Sequence, residues 1–452
     1  MAAVQLFFAC SQYAAATVAA ALRSGLFGPR ADHRRVLVVS DRSAAPEAGV
    51  PLDRMAGFAA LRPEFDEVRS WNDFVRPFRP ADWAPRDGDE PLWERALRQA
   101  WGLGDGEIEI ACESVQGNPS GAAVRIFAES RIHVYADGLM SYGPTRVRLD
   151  PRVGARVERL LYVDLVPGLR PLLLTEFGVR PQVVPTEAVG AVLRELADHV
   201  PELPGESDSP ALLLGQYLSA SGLMDEDEEE ALQVRMVRGV VALGHRDVVF
   251  KPHPAAPPGR TRVLAAEAER LGARLRFLHE PVLAEAAYRR LRPALVAGCF
   301  STGLFTAARF FGLPVARTGT ETLLRRLSPY QNGNRVPLTL VDALLPDLAD
   351  PAAVAAWSPP GSAEVGDALG GLLPAVGFAM QPELHPGLRT AAERWLGERP
   401  DAAARYVTRR RLTALGLPGG TPSRLAFLPR TPAVRRVARR VRSVRRAVTG
   451  SR

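Results

Sequence analysis

Three short stretches carry the side chains best suited to chemistry. In YADGLMSYGP, Asp137 and Gly138 follow an apolar run, so a carboxylate sits where the chain is expected to turn sharply on glycine. Such a carboxylate can take the proton of a sugar hydroxyl as a new bond forms. An Asp-Gly pair also makes an Asx-turn or caps a helix, and that reading stays open beside the first. In VVFKPHPAAPPG, His253 stands between Pro252 and Pro254 after another apolar run, with Lys251 adding positive charge. An imidazole held this way can donate to a phosphate oxygen or protonate a leaving group near neutral pH; a His-Pro pair on an ordinary surface looks the same. In LVAGCFSTGLFTAARFFG, an apolar run meets Ser301, Thr302 and Gly303 directly before a helix-like stretch. Hydroxyls and backbone N–H groups at a helix N-terminus suit a phosphate without a metal, and a plain capping box has the same pattern.

Such loops need a scaffold that presents them together. Short apolar runs, from Val4 to Cys10, Arg35 to Ser40, Glu107 to Cys112, Ile132 to Tyr135 and Leu160 to Val166, alternate with helical stretches. Strands covered by helices on both faces of a parallel sheet read this way, apolar without strict alternation. After Val200 the stretch PELPGESDSP reads as a linker. The pattern then restarts with ALLLGQY, VVFKPHP, ARLRFLHEP, PALVAGCFSTG and GLPVART. The acidic run from Asp225 to Ala231 is expected to be a solvated helix face, since its carboxylates lack His or Cys partners nearby. The expected fold class is α/β: two Rossmann-like domains, 1–200 and 211–380, joined by a linker at 201–210 and facing a central cleft. Packing helices at 381–430 and a basic tail at 431–452 complete the chain.

Length and composition agree with two cores: 452 residues, 46% hydrophobic and 24% charged. The net charge of +7 resides in the tail, because the eight arginines between Val434 and Arg452 have no acid among them and removing them leaves −1. Polyanion binding by the folded body, and with it specific nucleic-acid recognition, is therefore not expected. Valines 434, 437, 441, 444 and 448 recur at helical spacing beneath those arginines. The tail is then either a solvated end or a surface for anionic lipid or a partner, at ~1 kcal/mol per near-surface cation. Three scattered cysteines favour a reduced, cytoplasmic setting. The opening from Met1 to Leu22 has no positive charge before its apolar part and reads as strand, turn and Ala-rich helix rather than an export signal. No Walker or GxGxxG loop occurs, which excludes the usual ATP and dinucleotide sites.

The three loops, in order, match the D/E-D/E-G, HP and SS/ST motifs of bacterial sialyltransferases as Ala136-Asp137-Gly138, His253-Pro254 and Ser301-Thr302. With the contexts YADGLMSYGP and KPHP, the chain from about residue 4 to 350 resembles the bacterial α-2,8-polysialyltransferase family. The resemblance implies a GT-B fold and transfer from CMP-sialic acid to a glycan, with inversion and without metal or cofactor. It implies Asp137 as general base, His253 as general acid and phosphate ligand, and Ser301 and Thr302 as phosphate ligands. On the donor side we add, by their places at strand ends, Gly215, Gln216, Lys251, Pro254, Glu280 and Gly303; Glu280 is a ribose ligand or else a helix cap. On the acceptor side Ser11, Gln12, Ser114, Gln116 and Gly138 are the corresponding candidates. One position departs from the pattern: Ala136 stands where the motif has its first acid. Two other readings remain, a transferase using another CMP- or nucleotide-linked sugar, and a non-catalytic scaffold held at a membrane by the tail.

Overall fold

In the first apolar run Val4 to Ala9 are all buried, because helices cover both faces of the strand they form. The computed structural model describes residues 3–43, 45–136, 138–203, 209–253 and 261–421. Asp137, Pro254 and the basic tail lie outside the described residues. The first half carries β1 (Ala3–Ala9), β2 (His33–Val39), β3 (Glu67–Ser70), β4 (Ile108–Cys112), β5 (Arg131–Ala136), β6 (Val157–Val163) and β7 (Pro181–Val184). They form a seven-stranded parallel sheet in the order β3-β2-β1-β4-β5-β6-β7. The second half carries β8 (Ala211–Leu214), β9 (Asp247–Lys251), β10 (Arg274–Phe277), β11 (Leu295–Gly298) and β12 (Val315–Arg317), a parallel sheet in the order β10-β9-β8-β11-β12. Strand order reverses between β1 and β4 and again between β8 and β11, the places where such sheets open a crevice at their carboxyl ends. This is the doubly wound, two-sheet α/β architecture of GT-B proteins. The outer strands β3 and β7 were not among the expected runs; both are four residues long and partly exposed, β3 polar and β7 bounded by prolines.

The Ala-rich stretch after β1 forms α1 (Gln12–Arg23), buried from Ala14 to Leu22. It packs on α2 (Thr186–Asp198), whose Val189, Val192, Leu193 and Leu196 are buried. The same α2 packs on a helix of the second half, so it is shared between the halves. The acidic run opens α3 (Glu226–Ala242) and is not uniformly solvated. Asp225 and Glu228 form a capping box, while Glu229 is buried. At one helical turn's spacing, one acid of a run can face inward while its neighbours face water.

Beyond α3 come α4 (Ala284–Leu291), α5 (Thr302–Phe311) and α6 (Arg335–Leu344). The return to the first half begins at α6, which packs on the 3-10 turn Leu139–Tyr142. Further on, Gln381 Nε2 donates to Arg146 O at 2.6 Å. One apolar cluster accordingly runs from Phe7 to Leu417 through both halves. Within it Asp342 of α6, its side chain wholly buried, accepts from Thr320 Oγ1 at 2.6 Å and from Arg405 Nη2 at 2.7 Å, with Arg317 Nη1 3.5 Å away. Among the described residues no helix is long and apolar enough to cross a membrane.

Candidate active site

The loops after β8, β9 and β11 are joined by hydrogen bonds at the switch point of the second sheet. Gln216 Oε1 accepts the Phe300 N–H at 2.7 Å, and the Gly215 N–H donates to Lys251 O at 2.9 Å. Glu229 reaches from α3 to accept the Leu218 and Ser219 N–H groups at 2.9 and 3.0 Å. Gln216, read from sequence as a donor contact, thus bridges the two lips of the crevice with its side-chain oxygen. Glu229 is a supporting residue that local composition hides, because it sits in a run of six consecutive acids from Asp225 to Glu230.

Ser301 caps α5, its Oγ accepting the Gly303 N–H at 3.1 Å. One backbone donor at this terminus is therefore already engaged, and the Ser301 hydroxyl keeps its own hydrogen for an anion. Thr302 is half-buried beside it. Position 303 has room only for glycine: a Cβ there would lie 2.7 Å from Tyr288 Oη and 3.0 Å from Leu214 Cδ1. Tyr288 donates to Gly303 O at 3.0 Å, fixing the first turn from below.

Beneath this turn two ionisable side chains are buried, Glu285 and Lys251. Glu285 of α4 accepts from Thr306 Oγ1 at 2.5 Å, and burial pushes its carboxyl upward against that bond and the charge of Lys251. Burial likewise pushes the Lys251 ammonium down, opposed by Glu285 and Glu280. Glu280 is itself exposed just beyond β10, where its carbonyl accepts the Val282 N–H at 2.8 Å. His253, two residues past β9, is accessible to solvent. Partial desolvation first, and then Lys251, lower its pKa below the ordinary histidine value, with Glu229 opposing.

From the first half, β5 ends at Ala136, two residues before Gly138. Gly138 was expected to supply a turn, yet its backbone is extended, with φ −125° and ψ 179°. Proximity is what glycine eases here: a Cβ built there would come within 3.2 Å of Thr302 Oγ1 in the other half, a tight contact. The first and third motifs therefore meet across the cleft. Arg309 of α5 adds a second tie, donating from Nε to Asp164 O at 3.3 Å, just past β6. The wedge is testable. Gly138→Val should lower kcat/KM by about tenfold, less than the ~10² that a displacement of about 1 Å can cost; unchanged rates would mean that the approach is not needed for turnover.

The remaining acceptor-side candidates fall at carboxyl ends of the first sheet, but with different exposures. Ser11 is exposed and caps α1, accepting the Ala14 N–H at 3.0 Å. Gln12 is buried and donates to Ala56 O at 2.7 Å, so it faces the interior rather than the cleft. Ser114 accepts the Gln116 N–H at 3.1 Å, and Gln116 Nε2 donates to Val147 O at 3.0 Å. Between them stands Glu113, which the motifs do not include; its Oε1 accepts the Cys10 N–H at 2.8 Å. Among the described residues no group of three or more His, Cys, Asp or Glu could hold a metal ion.

A sequence model of the alpha-2,8-polysialyltransferase (POLYST) family matches residues 5–320, a span that includes all three motif loops. No curated protein sequence matches the chain significantly. Among solved structures it is similar to the GT-B domain of a sialyltransferase from Photobacterium damselae, at 10% identity over 75% of this chain and 96% of that one, TM-score 0.35. It is also similar to a UDP-N-acetylglucosamine 2-epimerase from Rickettsia bellii, at 10% identity over 71% and 79% of the two chains, TM-score 0.39. MurG of Acinetobacter baumannii is a third, at 10% identity over 81% and 98%, TM-score 0.40. Likeness at that level carries nothing about chemistry.

Proposed function

The chain belongs to the alpha-2,8-polysialyltransferase family and is a glycosyltransferase, and on that premise we propose that it moves sialic acid from CMP-sialic acid to a glycan acceptor, with inversion and without metal or cofactor. The acceptor hydroxyl attacks C2 of the donor sugar. As that C–O bond forms, the bond from C2 to the CMP phosphate oxygen breaks and its electron pair leaves with CMP. Asp137 takes the hydroxyl proton as general base, and His253 donates its proton to the departing phosphate as general acid. Ser301 and Thr302, with the Gly303 turn at the start of α5, bind the phosphate, and Lys251 adds positive charge nearby. Gly215, Gln216 and Pro254 complete the donor side, with Glu280 toward the ribose; Ser11, Ser114 and Gln116 line the acceptor side.

The observation that carries this reading is the approach of Gly138 to Thr302. A carboxylate loop and a phosphate loop from different halves serve one reaction only if they reach the same substrate pair. The test is release of CMP by purified protein from CMP-sialic acid, with and without a glycan acceptor, beside a panel of other nucleotide sugars. Acceptor-dependent release supports the reading. Neither binding nor turnover of CMP-sialic acid overturns it, and turnover of a different nucleotide sugar reassigns the donor.

The arginine-rich tail extends the proposal to an anionic membrane surface, which would hold a cytoplasmic enzyme against the inner face of the membrane. Deleting Val434 to Arg452 should reduce sedimentation with anionic vesicles and leave transfer to a soluble acceptor unchanged. Unchanged sedimentation would make the tail a solvated end.

A further inference from the structure

Glu113 is the carboxyl that the motifs leave out. It is the first residue past β4, and β4 lies between β1 and β5, with Cys112 beside Phe8 on one side and Val134 on the other. Register therefore sets Glu113 at the level of the last residues of β5, immediately before Asp137 in the chain. Its Oε1 holds the Cys10 N–H at 2.8 Å, which fixes the carboxyl at the sheet edge between the loop of Ser11 and the loop of Gly138. Part of the residue stays open to solvent. Buried Ala136, the last residue of β5, offers a methyl group and no acid.

We propose that Glu113 is a second acceptor-side carboxyl of the transfer reaction, accepting a hydrogen bond from the glycan and setting its nucleophilic hydroxyl beside the β5 end. The proposal rests on the sialyltransferase reading. A carboxylate here can take one N–H with Oε1 and a sugar hydroxyl with the rest of its acceptor capacity, since an ionised carboxyl has about four lone-pair sites. The groups that act on it are few: Cys10 from the end of β1 and Arg42 from beyond β2 favour its charged form. Burial is the larger influence and raises its pKa. Its own charge in turn helps push the buried Cys112 thiol up to about 12, after burial itself.

The deciding variant is Glu113→Gln, which keeps an oxygen for the Cys10 N–H and loses the charge. KM for the acceptor should rise about tenfold, the scale of one lost charged hydrogen bond, with KM for CMP-sialic acid and the melting temperature held. The acid limb of acceptor kcat/KM should fall with a slope of two in the wild-type protein, for two carboxyls that must be ionised, and of one in the variant. Wild-type acceptor KM with unchanged slope in the variant overturns the proposal and leaves Glu113 as a cap for Cys10. If the Gln variant melts early, the wild-type limb decides alone, and a slope of one overturns it. Wild-type protein that transfers no sialic acid overturns the functional reading and this proposal together, an outcome distinct from wild-type transfer that Glu113→Gln leaves untouched.

Discussion

His253→Ala should lower turnover of CMP-sialic acid by about 10² or more and leave the melting curve where it was, because the residue is solvent-accessible and outside the apolar clusters. Asp137→Ala should do the same from the other half. The two losses should differ in pH dependence. His253 must carry its proton to act as the acid, so its contribution is present below its pKa and lost above it. Desolvation and then Lys251 lower that pKa from the ordinary 6.5. The alkaline limb of kcat/KM for the donor should accordingly lie below pH 6.5 in wild-type protein and vanish in His253→Ala. In kcat the limb should move upward, since bound phosphate favours the imidazolium. Wild-type-like rates in both variants would remove the mechanism while leaving the family assignment intact.

Asp342→Ala should cost about 1–3 kcal/mol of stability, read by urea denaturation, because Arg405 and Thr320 lose their buried acceptor while Arg317 keeps Asp347 at 2.8 Å. Burial by itself would raise the Asp342 pKa, but hydrogen bonds from Arg405 and Thr320 and the charge of Arg317 bring it below its ordinary 3.8. A depressed carboxyl stabilises the fold above its unfolded pKa, so this contribution should fade as pH drops through 3.8 and below. Asp342 belongs to α6, and α6 packs on the turn that follows Gly138. The variant should therefore lose acceptor-side activity at temperatures where wild type is still fully active. A loss below about 1 kcal/mol would show that the network is dispensable.

The strands that present the site were readable from local sequence because burial on both faces leaves apolar runs such as VQLFFA and LVAG. The two short strands at the sheet margins were not, since half-exposed EVRS looks like any loop. The motif loops stood out in the sequence as candidates for chemistry, but their supports did not. Gly138 lies close against Thr302, a residue of the other half, and no local pattern records such a contact. Glu229 is buried amid acids that are solvated, and Glu285 and Tyr288 lie under the phosphate turn through tertiary packing alone. The packing of α6 on the turn Leu139–Tyr142 joins residues about 200 apart in the chain, a contact that local composition does not encode.

The Gln216 bridge to Phe300 has a kinetic consequence. Both lips of the crevice are tied together by a bond within the protein, so their order is established once, when the chain folds, instead of at every encounter with the proposed donor. Donor arrival should then not wait on these two loops, and its rate should fall as salt screens the charges near them.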